Sequence, residues 1–382
     1  MSSRSAIRLI EPRSGAVTRP MQKYHLVAHA DKRRQHVRPS DKTDWWRPVD
    51  RNGVVSIDND KSRPSPVRFV WTVERGTGAC DLLISRNRGF QDALVIRGVI
   101  GGQCEVFHLH IGTRYYWKVT ARDADGRLVE SAVRSFVTHA TPPRWIWVPE
   151  ITNVRDMGGW PLPGENRRVR QGMLYRSSEM NSHLTITKAG ERLLVHELKI
   201  RTDLDLRRAP EEVKSVLDAS KVEWVNIPID PYGSIVDDNC RDGYRRVFAL
   251  LAQERRYPIL FHCWGGADRG GTLAFLIHGL LGVKLPDLVH DYELTSLSVW
   301  GPRSQASAEF KALRAALRPF GQRANDIKGQ VEGYLRAIGV TARDIAAIRA
   351  LLTLHAGGRR GYTARPRHGA VARKVGESSE HV

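Results

Sequence analysis

The sequence predicts two domains of different class: an N-terminal all-β sandwich, then an α/β domain with a mostly parallel sheet and a helical C-terminal part. Three observations predict them. Between residues 66 and 141, short apolar runs recur at regular, turn-bounded spacing. After residue 150, apolar β-rich runs alternate with helical stretches. From residue 269 onward the pattern is almost continuously helical. A length of 382 residues accommodates two or three domains, and 41% apolar with 26% charged residues gives each an ordinary core.

Taken in order, residues 7–15 (IRLIEPRSG) offer a first strand ahead of a long basic insertion. Further strands are expected at 67–73, 80–85, 93–99, 103–110, 114–123 and 133–139, separated by Gly, Asn and Asp turns. Cys80 and Cys104 read as small buried hydrophobes. TPPRWIWVPE (141–150) reads as a stiff linker. In the second domain, strands are expected at 173–176, 200–207, 222–229 and 258–263, with helices at 185–198 and 241–254. Helices follow at 269–281, 286–297, 304–318, 327–338 and 341–354, the last opened by a Thr341-x-x-Asp344 capping pattern. The expected divisions are 1–47 as a basic segment, 48–141 as the sandwich, 142–355 as the α/β domain and 356–382 as a basic disordered tail.

The net charge is +19, and the two flanks hold +11 of it: +7 in residues 1–47 and +4 in residues 356–382. Only Tyr24, Trp45, Trp46 and Tyr362 stand among these basic residues, too few for the base stacking that single-strand binders require, so nucleic acid is not an expected partner. No run of 18 apolar residues is present, and MSSRSAIRLIEPRSGAV lacks the apolar core of a secretory signal. A cytoplasmic location is therefore expected. Four Cys with no Cys-x-x-Cys spacing suggest neither a disulfide framework nor a metal site, and no cofactor is expected.

One segment carries chemistry: ILFHCWGGADRGGTLAFLIHGLLGV, residues 259–283. An apolar strand ends at His262-Cys263. A short loop, Trp264-Gly265-Gly266-Ala267-Asp268, follows, and Arg269 opens an apolar helix. A strand–loop–helix turn presents backbone N–H groups and the positive helix end to a common anion. Gly265 and Gly266 permit the tight curl. The same field lowers a thiol from about 8.5 into the range of about 3.5–7.5, so Cys263 is expected as a thiolate beneath a bound oxyanion. Arg269 supplies a planar fork for two phosphate oxygens. Nucleophile and clamp on one loop imply covalent phosphoryl transfer through a cysteinyl-phosphate.

HCWGGADRGG resembles the HCxxGxDR(S/T)G signature of the bacterial branch of cysteine-based protein tyrosine phosphatases. ITNVRDMGG (151–159) resembles that branch's NFRDLGG opening. LYRSSEM (174–180), IRTDLDLR (200–207) and DYELTSLSVWGPRS (291–304) are similar to its pattern in the same order. The resemblance implies Cys263 as nucleophile, Arg269 as phosphate clamp and His262 as a loop-orienting neighbour, with Gly265, Gly266, Ala267 and Gly270 around the phosphate. It also implies a metal-independent phosphatase acting on phosphotyrosine proteins or other phosphate monoesters, with dual specificity as the alternative to tyrosine alone. GTRYYWKVTARDADG and SAVRSFVT resemble the last strands of a fibronectin type III domain, a candidate docking surface for a protein partner.

A leaving oxygen needs a proton. The resemblance implies an Asp some thirty residues before the Cys, which favours Asp230; Asp268, inside the loop, is the competing candidate. Gly270 departs from the family pattern, which has a hydroxyl there to assist the departing sulfur. Thr272 is expected to point elsewhere. The departure leaves a slow enzyme or a phosphate-recognition pseudophosphatase as readings, beside a nucleic-acid 5′-phosphatase guided by the basic flanks. None of the variable loop positions is basic, which favours an aryl ester over a multiply charged head group, with Trp264 as a candidate ring contact. Arg155 and Asp156 either line the pocket or tie it together, and Arg207 is a candidate rim residue beside the reading of a surface salt bridge. Every candidate catalytic residue follows Glu150, so residues 1–140 are expected to be dispensable for chemistry.

Overall fold

The computed structural model describes residues 7–22, 57, 60–74, 77–208, 215–355 and 372–374. The basic flanks therefore lie mostly outside the described residues. The chain divides into two units.

The first unit is built from β1 (Ile7–Glu11), β2 (Ala16–Val17), β3 (Val67–Val73), β4 (Cys80–Ser85), β5 (Leu94–Val99), β6 (Gln103–Val106), β7 (Arg114–Arg122), β8 (Leu128–Glu130) and β9 (Arg134–Val137). One sheet runs β1-β3-β6, and Ala372–Lys374 of the tail pairs antiparallel with β6. The other runs β2-β9-β7-β4-β5, with β8 on β7. Strand periodicity fills the space between them: Tyr115, Trp117, Val119 and Ala121 of β7 turn inward at every second position. The Phe69 ring meets Trp117 edge-on at 5.1 Å and Phe136 at 5.6 Å. Cys80 and Cys104 are buried and unbridged in this core.

The second unit holds a six-stranded sheet. Its strands are β10 (Arg144–Trp145), β11 (Arg155–Asp156), β13 (Leu174–Ser177), β14 (Thr202–Asp205), β15 (Glu223–Asn226) and β16 (Ile259–His262), in the order β10-β11-β13-β16-β14-β15. A separate ribbon pairs β12 (Arg167–Val169) with β17 (Thr353–His355). The four strands β13, β16, β14 and β15 are parallel, and β11 joins β13 antiparallel. Parallel central strands are covered on both faces, so β13, β14 and β16 are buried throughout. Arg176, Asp203 and Asp205 interrupt their apolar runs, and buried charges in a central sheet demand partners.

The helices are α1 (Lys188–Arg192), α2 (Asp238–Leu251), α3 (Asp268–Leu281), α4 (Leu285–Glu293), α5 (Ala308–Leu317), α6 (Ile327–Ala337) and α7 (Ala342–Leu352). α1 is shorter than the expected helix and continues as a π-helical turn, Leu193–Glu197. α3 is apolar on all sides because it runs through the core, buried from Gly270 to Leu281. Thr341 caps α7 by accepting from the Asp344 N–H at 3.1 Å.

Two expected boundaries move. The 141–150 segment is no free linker: Trp145, Ile146 and Val148 are buried, and Ile146 donates to the Val154 carbonyl at 3.0 Å. Residues 60–63, placed by sequence with the sandwich, pack with the second unit. Lys61 N–H donates to Leu297 O at 2.7 Å, and Ser62 is buried.

Candidate active site

Sheet register builds the site. Ser177, His262 and Asp205 lie side by side at the carboxyl ends of β13, β16 and β14. Cys263, the next residue of the central strand, therefore emerges where ligands bind in open parallel sheets, and it is buried at 3% exposure. The loop after it is held by its carbonyls. Trp264 O accepts from Glu179 N–H at 2.9 Å, Gly265 O from Asn153 Nδ2 at 2.9 Å and Gly266 O from Arg176 Nη2 at 2.6 Å. The N–H groups of Trp264–Ala267 have no acceptor among the described residues. These free donors, beside the start of α3, suit an anion. Both glycines are required. Gly266 has φ +61, and a Cβ there would sit 2.3 Å from Ser177 O. A Cβ on Gly265 would enter the Trp300 ring at 2.6 Å.

Beneath the loop lies a buried charge network. Asp291 bridges two guanidiniums, accepting from Arg155 Nε and Arg176 Nη1 at 2.9 Å each. Burial alone would raise the Asp291 carboxyl, but Arg155 and Arg176 outweigh it and hold it well below the ordinary carboxylate range. Arg176 is pushed down to about 9 by burial and by Arg155. Arg155 is therefore not a pocket residue. It is fully buried, with donors committed to Asp291, Asn153 and Thr295, and it ties the site together. His262 Nε2 lies 3.0 Å from Asp203 Oδ1. Burial opposes its protonation, but Asp203 and Asp205 prevail and raise its pKa, fixing the strand end below Cys263. Arg207 is not a rim residue either: at 3% exposure it binds Asp205, Glu179 and Asn181. Its guanidinium lies 5.6 Å from the Trp264 ring, which is 37% exposed and meets His183 edge-on.

Arg269 donates through Nε to Ile229 O at 3.1 Å, and its two terminal nitrogens have no partner among the described residues. That bond sets the clamp beside the Asp230 segment. Asp230 itself is paired with Arg208 at 2.5 Å, and this hydrogen bond lowers its pKa, the opposite of what a proton donor needs. Asp268 stands on the loop. Arg303 binds both of its oxygens at 3.0 Å, and Tyr232 donates its hydroxyl to Oδ1. The hydroxyl of Thr272 accepts from Tyr232 N–H at 3.0 Å. That bond places it beside the Tyr232 segment. Gly270 faces the sulfur: a Cβ there would lie 4.0 Å from Cys263 Sγ.

Sequence reasoning did not single out Asn153, Arg176, Tyr232, Asp291 or Arg303. All but Tyr232 lie in segments that carried the family resemblance, so the signal was present without a role. Ser62 had no signal at all.

Residues 146–354 match the tyrosine phosphatase family. A Cupriavidus necator protein named as a tyrosine-protein phosphatase is 30% identical over 241 residues, covering 52% of this chain and 85% of that protein. A tyrosine-protein phosphatase of Nostoc commune is 23% identical over 197 residues, covering 41% and 67%. Among solved structures, the core catalytic domain of the PP-IP phosphatase Siw14 from S. cerevisiae is 20% identical, covering 38% of this chain and 82% of that one, with a TM-score of 0.27. A Fn3-like protein from Clostridium thermocellum is 18% identical, covering 20% and 81%, with a TM-score of 0.17. With its cysteine–arginine loop at the carboxyl edge of a parallel sheet and the family match covering residues 146–354, more than half of its length, this chain belongs to the tyrosine phosphatase family.

Proposed function

We propose that the chain hydrolyses phosphotyrosine and related aryl phosphate monoesters through a phosphoryl group carried on Cys263. The observation that carries this reading is the set of uncommitted donors around one buried thiol: the N–H groups of Trp264–Ala267 and both terminal nitrogens of Arg269. They match the oxygens of a phosphate dianion and strengthen as charge redistributes in transfer. In the first step Cys263 Sγ attacks phosphorus, the P–O bond to the aryl group breaks, and the leaving oxygen takes a proton. In the second, water attacks phosphorus, the S–P bond breaks, and the water's proton returns to the carboxylate.

Asp268 is the proton donor in this reading. It sits five residues from the nucleophile, and Tyr232 and Arg303 orient it. Asp230 is the second candidate, supported by the Arg269–Ile229 bond that brings it beside the clamp. Trp264 supports an aryl substrate, since an exposed ring braced by His183 and Arg207 offers a face for stacking.

The first unit is read as a fibronectin type III-like sandwich that docks a protein partner. Besides its two sheets, Tyr115 supports this. Its hydroxyl accepts from the His110 N–H five residues upstream, the tyrosine-corner arrangement of such sandwiches.

Release of p-nitrophenol from p-nitrophenyl phosphate tests the function. Wild type should turn over, and Cys263→Ser should bind vanadate without releasing product. Full activity in Cys263→Ser would overturn the assignment.

A further inference from the structure

The residues that hold the phosphate loop do not all come from the stretch matching the family. Residues 60–63 lie more than eighty positions before the family opening at Asn153, in the segment between β2 and β3 of the sandwich. Yet they are packed into the second unit.

Asp60 and Ser62 form a short turn in which Asp60 Oδ1 accepts from Ser62 N–H at 3.1 Å and from Ser62 Oγ at 2.6 Å. With its proton given to Asp60, Ser62 Oγ is left as an acceptor, and it takes the backbone N–H of Asn153 at 3.0 Å. Lys61 N–H donates to Leu297 O at 2.7 Å, pinning the turn from its other side. Asp60 and Ser62 are buried at 8% and 3% exposure.

Asn153 is the element they steady. It holds φ +57, a left-handed conformation that asparagine adopts more readily than other non-glycine residues. Its amide works in two directions: Nδ2 donates to Gly265 O at 2.9 Å, and Oδ1 accepts from Arg155 Nη1. Arg155 leads through Asp291 and Arg176 to Gly266 O. Two successive carbonyls of the phosphate loop are thus anchored through a network whose first member is fixed by Ser62.

We infer that Asp60 and Ser62 are positioning residues for phosphate binding, acting through Asn153 on the Gly265 carbonyl and so on the outward presentation of the loop's N–H groups. The inference rests on reading the 263–269 loop as the phosphate site. It also overturns the expectation that residues 1–140 are dispensable for chemistry, because a fragment beginning near Pro143 lacks the turn.

The test uses the full chain and two readouts, vanadate affinity and KM for p-nitrophenyl phosphate. Ser62→Ala leaves the buried Asn153 N–H without its acceptor, and both constants should worsen by about tenfold, the equivalent of one buried hydrogen bond. Ser62→Thr, which keeps the oxygen, should restore most of the loss. The decisive arm is Asn153→Gly, which tolerates the positive φ and keeps the backbone N–H but cuts the link to Gly265. In that background Ser62→Ala should cost nothing further, because its only route to the loop is gone. A Ser62→Ala protein with wild-type vanadate affinity would overturn the inference. So would losses that simply add in the double variant, since they would report general destabilisation. Activity in Cys263→Ser would instead defeat the reading of the loop itself, and the two failures are therefore distinct.

Discussion

The signature that the 262–271 loop resembles has a hydroxyl residue where this chain has Gly270, and the geometry there sets what introducing a hydroxyl should do. A Cβ at Gly270 would lie 4.0 Å from Cys263 Sγ and 3.9 Å from the Phe261 ring, ordinary contacts that require no movement. One bond further, a serine hydroxyl reaches the sulfur. Thr272 lies beside the Tyr232 segment, where its hydroxyl accepts from Tyr232 N–H, and no bond from it to the sulfur is found among the described residues. A hydrogen bond to a charged group contributes about 1.5–3 kcal/mol. It would act mainly when the sulfur departs as a thiolate, in the hydrolysis of the phosphoenzyme. At about 1.4 kcal/mol per factor of ten, Gly270→Ser should raise kcat by about ten- to a hundredfold with little change in kcat/KM. Gly270→Ala is the control: it gives a larger gain in helix propensity than serine and adds the same Cβ without the donor, and it should leave kcat near wild type. Rapid-quench kinetics on p-nitrophenyl phosphate would show a burst in wild type and in Gly270→Ala, diminished in Gly270→Ser. No burst in wild type, together with no gain in Gly270→Ser, would refute the reasoning.

Three further outcomes are expected. Asp268→Asn should slow esters of basic phenols by about 10²–10⁴-fold in kcat and esters of acidic phenols far less; that signature in Asp230→Asn alone would transfer the role. Asp291→Asn leaves two buried guanidiniums without their carboxylate and should destabilise the fold by about 3–5 kcal/mol in urea unfolding, whereas a loss under about 1 kcal/mol would contradict the network. His262 has its pKa raised above the ordinary 6.5, so its pairing contributes fully below that pH and is lost as pH rises through the folded value. The stability gap between wild type and His262→Gln should therefore narrow from about pH 6.5 upward, and a gap independent of pH would contradict the Asp203 pairing.

What the sequence disclosed followed the range of the interactions involved. The loop from His262 to Gly270 is contiguous, so the strand, the paired glycines and the following helix brought the candidate nucleophile and candidate clamp together in the sequence. The sandwich strands were legible because alternation is local, as Tyr115, Trp117 and Val119 illustrate. The roles of Arg155 and Arg207 stayed open because an arginine near a strand end reads equally as rim or brace. Only the folded chain places Asp291 beside one and Glu179 beside the other. The 141–150 segment carried three prolines and read as a linker, but its Trp145, Ile146 and Val148 needed cover and entered the core. Ser62 left no pattern, since its role depends on Asn153 ninety-one positions away.

The central claim is a phosphoryl group on Cys263, and acid quenching during turnover tests it most directly. Wild type mixed with p-nitrophenyl phosphate, quenched in acid and digested, should yield the peptide containing Cys263 heavier by one phosphoryl group. The adduct should be absent from Cys263→Ser and more abundant in wild type than in Gly270→Ser. Turnover with no adduct on Cys263, or with the phosphoryl group on another residue, would contradict the account.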